Sequence, residues 1–301
     1  MFGPPAGAMN PWPDVERSIR EASGAPFVIE SHAGIGGGCI NESYVIRGHG
    51  RAFFVKLNAP ARADMFAAEA EGLAEIARSH TVRVPRPVCH GANAQASWLV
   101  LEHLELRSGD DRSMAQLGRN LARMHRVTNA RYGWHRDNTI GATPQVNTRS
   151  GDWIAFWRER RLGYQLKLAG SSVHSDRLVA NGERLLGALP SFFHGYTPPP
   201  SLLHGDLWSG NVALEAGGDP VIYDPAAYYG DREADLAMTE LFGGFPASFY
   251  EAYGAEYPLD AGYETRKHLY NLYHVLNHLN LFGSGYGARA ERMIEQLLAH
   301  A

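Results

Sequence analysis

The stretch Ser201-Leu-Leu-His-Gly-Asp-Leu-Trp-Ser-Gly-Asn-Val212, followed by Val221-Ile-Tyr-Asp224, holds the polar groups that decide how this chain is interpreted. It contains a carboxylate at Asp206, an amide at Asn211 and a second carboxylate at Asp224, where an apolar run ends. Phosphoryl transfer from ATP needs such groups, because one orients the attacking hydroxyl and two oxygen ligands hold Mg²⁺. The alternative is a loop in which Asn and Asp only cap turns. The kinase interpretation therefore requires matching groups elsewhere in the chain.

Length and composition indicate a globular protein with one large domain or two lobes. The 301 residues are 45% hydrophobic and 20% charged, and the net charge of −4 gives no basic footprint for nucleic acid. No apolar run is long enough to span a bilayer, and the N-terminus lacks the pattern of a secretory signal. The 2 cysteines, Cys39 and Cys89, are too few for a disulfide framework. We therefore expect a cytoplasmic protein without a nucleic-acid or membrane partner.

The first third of the chain has the pattern of a small β-rich unit. A glycine-rich loop, Gly34-Ile-Gly-Gly-Gly38, joins its first two strands, and Lys56 lies in the third. Glycines in a hairpin let backbone N–H groups approach phosphate closely. The predicted elements are a short helix over 13–22, strands over 26–33, 42–47 and 51–57, a helix over 64–78 and a strand over 98–102.

Lys56 is the candidate phosphate-binding cation. Its strand neighbours are aromatic or β-branched, so we expect the ammonium to point to an open face where it can meet nucleotide phosphates. Glu69 on the following helix is its predicted partner, and Glu71 is the competitor on a different helix face. For either residue alone, a solvated surface position is the alternative.

The remainder of the chain is predicted to be mainly helical, which gives an α+β protein with a small β-rich lobe and a larger helical lobe. Ser113, Asp152 and Ser175 are expected to cap helices, and further helices are expected near 234–242 and 262–282. The predicted division is a leader with a short helix over 1–24, a nucleotide-binding lobe over 25–106, and a catalytic and substrate-binding lobe over 107–301.

These motifs resemble the fructosamine kinase (ketosamine-3-kinase) family, which is related to the aminoglycoside phosphotransferases and choline kinases of the protein-kinase-like fold. Protein kinases have Arg where this chain has Gly205. The resemblance covers about residues 25–285. It rests on Gly36-Gly-Gly-Cys-Ile-Asn-Glu-Ser-Tyr44, Phe54-Val-Lys56, Glu69-Ala-Glu-Gly-Leu73, Leu203-His-Gly-Asp-Leu-Trp-Ser-Gly-Asn211, Asp224-Pro-Ala-Ala-Tyr-Tyr-Gly-Asp-Arg-Glu-Ala-Asp235 and Leu269 to Phe282.

The resemblance implies a two-lobed protein-kinase-like fold, ATP and Mg²⁺ as cofactors, and phosphorylation of a sugar hydroxyl of a ketosamine, small or protein-bound. Asp206 would be the catalytic base, and Asn211 and Asp224 would be the metal ligands. The implied ATP-binding residues are Gly36, Gly37, Gly38, Lys56, Glu69, Leu101 and Glu102, the last two lying along the adenine.

The substrate region is predicted from Trp208 and the polar cluster Asp231, Arg232 and Glu233. An indole face suits the C–H side of a sugar, and carboxylates could bind sugar hydroxyls or a substrate ammonium. The alternative for the cluster is capping of the next helix, which we favour for Asp235. His274 and His278 are interpreted as structural, and His204 as a support of the catalytic loop.

Three hypotheses remain open at this point. The first is a ketosamine kinase; the second is a kinase of another small hydroxyl substrate, such as an aminoglycoside; the third is a non-enzymatic nucleotide-binding pseudokinase. Cys39 lies inside the predicted phosphate loop, where nearby backbone N–H groups could lower its pKa. The protein is accordingly expected to be a monomer or a redox-linked dimer through Cys39.

Overall fold

The computed structural model describes residues 10–36, 40–171 and 176–301. Its helices are α1 (Trp12–Ser23), α2 (Ala63–Arg78), α3 (Asp111–Met124), α4 (Trp153–Trp157), α5 (Gly163–Gly170), α6 (Asp176–Ala188), α7 (Glu233–Leu241), α8 (Ala247–Glu256), α9 (Tyr263–Phe282) and α10 (Gly287–His300). Its strands are β1 (Ser31–Ile35), β2 (Glu42–Gly48), β3 (Arg51–Asn58), β4 (Pro87–Ala92), β5 (Ser97–Glu102), β6 (Leu106–Arg107), β7 (Asn138–Ile140), β8 (Thr143–Gln145), β9 (Ser201–Leu203), β10 (Val212–Glu215), β11 (Pro220–Ile222) and β12 (Tyr228–Gly230). Gly37, Gly38, Cys39 and Ser175 lie outside the described residues.

The first lobe is built on an antiparallel sheet with the strand order β1-β2-β3-β5-β4. Lys56 is central in it, since it pairs with Ser43 of β2 on one side and with Leu99 of β5 on the other. Successive residues of a strand face opposite sides of a sheet. Val55 therefore packs in the core shared with Val15 of α1, whereas Lys56 faces α2. The three predicted strands and the turn between the second and the third are confirmed, whereas Gly34 and Ile35 of the predicted glycine loop belong to β1.

The second lobe is mainly helical, and α9 passes through its core. Apolar residues on every side of α9 are buried, which is typical of a central helix. Two short sheets carry the segments of the candidate site: β9 pairs with β12, and β10 pairs with β11 and β6. Because Leu106 and Arg107 of β6 pair with β10, the chain has reached the second lobe by Leu106. The predicted division at residues 106/107 stays a prediction.

Two predicted boundaries differ from the structure, and each difference has a physical reason. β1 begins at Ser31 rather than at residue 26, because the Val28 carbonyl crosses over Gly48, where a Cβ would lie 1.9 Å from that oxygen. The cap of α3 is Asp110 rather than Ser113. The Asp110 carboxylate accepts the Ser113 N–H at 2.8 Å, and the Ser113 hydroxyl accepts the Asp110 N–H at 3.0 Å. This reciprocal pair is a capping box.

Helix α8 was not predicted from the sequence. It packs against α3 so closely that a Cβ on Gly118 would lie 2.3 Å from the Phe249 carbonyl oxygen. None of the helices in the described ranges combines the length and the apolar character needed to cross a membrane.

His274 on α9 is buried in the second lobe, and its desolvation lowers the pKa from 6.5 to about 3. The unfolded chain binds a proton near pH 6.5 that the folded chain does not, so acid favours unfolding. When the pH falls from about 7.5 to about 5.5, this one group should lower the free energy of unfolding by about 1.4 kcal/mol.

We therefore expect the free energy of unfolding of His274→Leu to fall by about 1.4 kcal/mol less than that of wild type between the two pH values. Urea denaturation at each pH measures this difference. His268→Leu is the matched control, because His268 is exposed on the same helix. An equal pH dependence in wild type and His274→Leu would contradict the assignment.

Candidate active site

The catalytic loop that follows β9 is anchored by a buried carboxylate. Asp235 on α7 accepts the backbone N–H of His204 at 2.7 Å and that of Gly205 at 2.8 Å. The oxygen that accepts the His204 N–H also contacts Nε2 of the buried His125, at 3.2 Å. Burial is the largest single influence and opposes ionisation, but the interactions with His125, with His204 and with the Gly205 N–H together outweigh it and lower the pKa of Asp235. Asp235 therefore has a structural role, as predicted, but it anchors the catalytic loop instead of capping α7.

Gly205 brings this loop into direct contact with the segment after Asp224. Its φ is +84°, and a Cβ there would lie 2.1 Å from the Ala226 carbonyl oxygen. The Ala226 N–H in turn donates to the His204 carbonyl at 2.9 Å. A side chain at position 205 would therefore separate the two segments that carry the candidate catalytic groups.

His204 joins Asp206 to the second carboxylate segment. Its Nδ1 accepts the Asp206 N–H at 3.2 Å, so its Nε2 carries the proton and donates to the Tyr223 carbonyl at 3.0 Å. Burial lowers the pKa of His204, which keeps the ring neutral in this arrangement. The prediction that His204 supports the loop by hydrogen bonds is confirmed.

Asp206 and Asn211 lie side by side. The Asn211 amide NH₂ donates to the Asp206 carbonyl at 2.8 Å and approaches an Asp206 carboxylate oxygen at 3.4 Å. Burial raises the pKa of Asp206 to about 7, and the charge of Asp224 adds to the shift, while the hydrogen bond from Asn211 opposes it. A carboxyl group that titrates near neutral pH is suited to accept a proton.

Lys56 connects the two lobes through a pair of carboxylates. The buried ammonium lies 2.5 Å from Glu69 Oε1 and 2.7 Å from Asp224 Oδ1. Burial alone would lower the pKa of Lys56, but the attraction of Asp224 and Glu69 outweighs it and raises the pKa. The structure thus brings Lys56, Glu69 and Asp224 into direct contact. The pair of Asp206 and Asn211 lies close enough for the charge of Asp224 to raise the pKa of Asp206.

Asp224 has an unusual backbone conformation as well. Its φ is +58°, in the left-handed region that Asn and Asp tolerate better than other non-glycine residues. Its side chain remains 46% exposed although one oxygen contacts Lys56. Strained residues of this kind concentrate at functional sites. The conformation presents the carboxylate to the cleft between the lobes.

Glu71, the competitor of Glu69, has a different partner. Its carboxylate contacts Arg136 Nη1 and His135 Nε2, each at 2.6 Å, and so attaches α2 to the second lobe. Gly72 packs against the segment after Asp224, because a Cβ there would lie 3.3 Å from the Cβ of Ala227. The second lobe therefore holds α2 where Glu69 meets Lys56.

We expect Gly72→Val to push α2 away from the loop that carries Asp224. The larger side chain overpacks the contact with Ala227, which should cost about 1–3 kcal/mol of stability and disturb the Lys56–Glu69 pair. The KM for ATP should rise about tenfold, because the ammonium loses its fixed position. Steady-state kinetics and thermal unfolding measure the two effects.

Ala77→Val is the matched control for Gly72→Val. It adds a β-branched side chain to the same helix at an exposed position. An equal rise of KM in both variants would assign the effect to a β-branched side chain anywhere on α2 rather than to the contact with the second lobe.

A buried polar network supports the segment after Asp224, and sequence reasoning missed it. Asn138 Nδ2 donates to the Ala227 carbonyl at 2.9 Å, and Gln145 Nε2 donates to the Ala226 carbonyl at 3.1 Å. The Tyr273 hydroxyl donates to Gln145 at 2.8 Å. Asn138 and Gln145 belong to β7 and β8, whose short polar sequences have no periodic pattern, and Tyr273 belongs to α9. No sequence signal would have identified them.

The sequence model described as fructosamine kinase matches residues 11–300 of this chain. The chain belongs to the fructosamine kinase family. A protein from Synechocystis sp. that is assigned as a ketoamine kinase is 48% identical over 299 residues, which cover 98% of this chain and 99% of that protein. A chloroplastic protein-ribulosamine 3-kinase from Arabidopsis thaliana is 44% identical over 291 residues, which cover 94% of this chain and 88% of that protein.

Solved structures agree with this family membership. A protein from Haemophilus somnus that is assigned as a fructosamine-3-kinase superposes with a TM-score of 0.88 at 29% identity, covering 96% of this chain and all 100% of that one. A mutant of aminoglycoside phosphotransferase APH(4)-Ia, in complex with ADP and hygromycin B, gives a TM-score of 0.63 at 16% identity, covering 96% of this chain and 99% of that one. The second likeness shows the fold alone. The predicted two-lobed protein-kinase-like α+β fold is confirmed.

In this member of the fructosamine kinase family, the cluster Asp231, Arg232 and Glu233 is internal. Asp231 is fully buried and accepts hydrogen bonds from the hydroxyls of Tyr270 and Tyr196, at 2.5 and 3.0 Å. The predicted substrate contact of Asp231 is therefore not supported, because its oxygens already have partners inside the lobe.

Arg232 and Glu233 are committed to internal partners in the same way. Arg232 donates to the carbonyls of Tyr257 and Pro258, and Glu233 forms a two-point ion pair with the buried Arg266 at 2.7 and 2.9 Å. Burial raises the pKa of Glu233 to about 7 in spite of Arg266. For all three residues, the alternative of a scaffold at the start of α7 fits the geometry.

The predicted adenine contacts are placed at the back of the cleft. The Leu101 side chain is buried in the core, and the Glu102 carboxylate accepts hydrogen bonds from Arg83 Nη1 at 2.7 Å and from the Arg86 N–H at 2.5 Å. The side chains of Leu101 and Glu102 are therefore committed to the fold, and the Glu102 N–H also has an internal partner, since it donates to the Arg86 carbonyl at 2.9 Å. The adenine contacts of these two residues stay a prediction. Gly36 is exposed and directly follows β1, which contains Gly34 and Ile35 of the predicted phosphate loop.

Trp208 stands at the open side of the catalytic loop. Its indole lies over Gly210, where a Cβ would be 2.3 Å from the ring, and 38% of the residue is exposed. This position is compatible with the sugar contact predicted for it. His274 is buried, and His278 contacts the His274 carbonyl through Nδ1 at 2.8 Å. Both positions agree with the structural interpretation of these two histidines.

Oxygen donors next to Lys56 fit a magnesium ion. The Asn211 NH₂ is directed to Asp206, which leaves its carbonyl oxygen available, and the Asp224 carboxylate is half-exposed. Mg²⁺ is usually held by one or two such ligands, with phosphate and water oxygens completing the octahedron. Among the described residues, no cluster of three or more His, Cys, Asp and Glu side chains offers a metal site without such help.

Proposed function

We propose that this chain is an ATP- and Mg²⁺-dependent kinase that phosphorylates a sugar hydroxyl of ketosamines, with fructosamines and ribulosamines as its substrate class. The observation that carries the proposal is the assembly of Lys56, Glu69 and Asp224 next to Asp206 and Asn211, in a chain of the fructosamine kinase family. A nucleotide-binding protein without activity would need no carboxylate beside the metal and phosphate ligands to act as a base.

Each residue has a defined task in this proposal. Asp206 accepts the proton of the sugar hydroxyl, or orients that hydroxyl, and Asn211 holds Asp206 in place. Lys56, fixed by Glu69, binds the phosphates of ATP. Trp208 offers its indole face to the sugar, since aromatic rings pack well against C–H groups.

Asn211 and Asp224 would hold Mg²⁺ through their side-chain oxygens. When bound, the ion neutralises charge on the phosphate oxygens. Asp224 would supply its half-exposed carboxylate to the ion, and Lys56 would supply its ammonium to the phosphates.

Phosphorylation at O3 would make the substrate labile. The phosphate lies on the carbon next to the ketone, so enolisation toward C1 gives an enaminol that expels phosphate. Water then hydrolyses the resulting imine at C1, which releases the amine. In this way the kinase would reverse non-enzymatic glycation of amines or proteins. The cytoplasmic location and the redox-linked dimer through Cys39 remain predictions.

A substrate panel tests the proposal. ATP consumption is measured with fructosamine, ribulosamine and aminoglycoside substrates, and phosphorus NMR locates the phosphate on the product. We expect turnover with ketosamines and phosphate on O3. Turnover with aminoglycosides alone would favour the second hypothesis, and nucleotide binding without any turnover would favour the third.

A further inference from the structure

A row of aromatic rings extends from the catalytic loop to the end of α9. The rings of Trp208 and Phe242 lie 6.3 Å apart, those of Phe242 and His278 lie 4.9 Å apart, and those of His278 and Phe282 lie 5.5 Å apart. Tyr286 also contacts His278, at 5.2 Å. We call these five residues the aromatic shelf.

Both ends of the aromatic shelf are open to solvent. Trp208 is 38% exposed and Phe282 is 56% exposed. Within the described ranges, no other Trp, Phe or Tyr is classed as exposed. Large exposed aromatic rings that adjoin one another mark a binding surface, because apolar area is otherwise removed from water.

The aromatic shelf is longer than a sugar. A monosaccharide whose hydroxyl meets Asp206 can cover the indole of Trp208, two residues along the catalytic loop. Phe242 and His278 lie between that indole and Phe282, so the same sugar cannot also reach Phe282. The far end of the shelf must therefore meet the group that the sugar is attached to.

The shelf carries a cation without an acidic partner. The Arg289 guanidinium lies 6.0 Å from the Phe242 ring centre, and its hydrogen bond is to the Leu241 carbonyl at 3.5 Å. No ion pair joins Arg289 to a carboxylate among the described residues. A carboxylate on the bound molecule would complement this charge.

We propose that the aromatic shelf binds the polypeptide on which a ketosamine is carried, with an apolar side chain next to the modified lysine on Phe282 and an acidic one near Arg289. A polypeptide supplies both groups beside the lysine, whereas a ketosamine on a single lysine supplies no neighbouring apolar side chain. This inference rests on the proposed function and adds to it the surface that contacts the residues beside the modified lysine.

Two substrates test it: a peptide with leucine before and aspartate after a ribulosyl-lysine, and a single ribulosyl-lysine whose α-amino group is acetylated and whose carboxyl group is amidated. The readout is the ratio of the two kcat/KM values. We expect wild type to prefer the peptide, and Phe282→Ala to lower the ratio about tenfold through the KM for the peptide. Arg289→Gln should lower the ratio only for the peptide that contains aspartate, compared with one that contains asparagine.

Matched variants separate binding from folding. Phe282→Tyr keeps the ring and should retain the wild-type ratio, while Val28→Ala removes exposed apolar surface from the first lobe and should leave the ratio unchanged. Equal losses with both substrates, or no preference for the peptide in wild type, would overturn the inference alone. Absence of turnover with every ketosamine would overturn the proposed function, and this inference with it.

Discussion

Asp206→Asn should lower kcat by about 10³-fold, because an amide cannot accept the proton of the attacking hydroxyl. The substitution keeps the shape of the side chain and leaves the hydrogen bond from Asn211 to the backbone carbonyl of residue 206 in place. Lys56, Glu69 and Asp224 are unchanged, so ATP should bind with an affinity close to that of wild type. Single-turnover phosphate transfer and calorimetric titration with Mg²⁺-ADP measure the two properties.

Asn211→Ala offers a comparison for this result. It removes both the amide that holds Asp206 and one oxygen donor near Asp224, so it should impair catalysis and metal-dependent nucleotide binding together. If Asp206→Asn kept turnover within about tenfold of wild type, Asp206 would have an orienting role rather than that of a base.

The parts of the site that could be predicted from the sequence are those in which neighbours along the chain are neighbours in space. Asp206 and Asn211 share one short loop, and Lys56 lies in a strand whose two partners were predicted as strands. The choice of Glu69 over Glu71 was also correct, because the two residues lie on different faces of α2 and only one can meet Lys56.

The parts that could not be predicted depend on distant partners. Asp231 and Glu233 follow the metal-ligand segment as substrate-binding carboxylates would, but Tyr270 and Arg266 of α9 enclose them. A run of polar residues does not reveal whether it faces a cleft or the interior. The aromatic shelf could not be predicted for the same reason, since its rings come from the catalytic loop, the end of α7, the end of α9 and the segment between α9 and α10.

The structure also explains why this chain has a glycine at position 205, where protein kinases have Arg. Gly205 replaces the Arg of the kinase motif, and the Ala226 carbonyl occupies the space that a side chain at that position would need. His204 joins the catalytic loop to the Tyr223 carbonyl, and Asp235 joins the same loop to α7. The catalytic loop is thus fixed by buried hydrogen bonds within the lobe.

Asp224→Ala should weaken Mg²⁺-dependent nucleotide binding at least about 100-fold, because it removes the one carboxylate of the proposed metal site. Lys56 would retain Glu69 as its partner, so the ammonium should stay charged and in place. Titration of Mg²⁺ at a fixed concentration of ADP, followed by calorimetry, measures the effect. Activity should fall with it, since phosphoryl transfer requires the metal.

The backbone of Asp224 complicates this variant, because alanine at a φ of +58° is strained. Asp224→Gly is therefore needed beside it, since glycine adopts this conformation freely and also lacks the carboxylate. Equal losses in the two variants would assign the effect to the missing ligand, and a loss confined to alanine would assign it to strain. Asp219→Ala, at an exposed turn between β10 and β11, should behave as wild type. An unchanged Mg²⁺ titration in both Asp224 variants would remove this residue from the metal site.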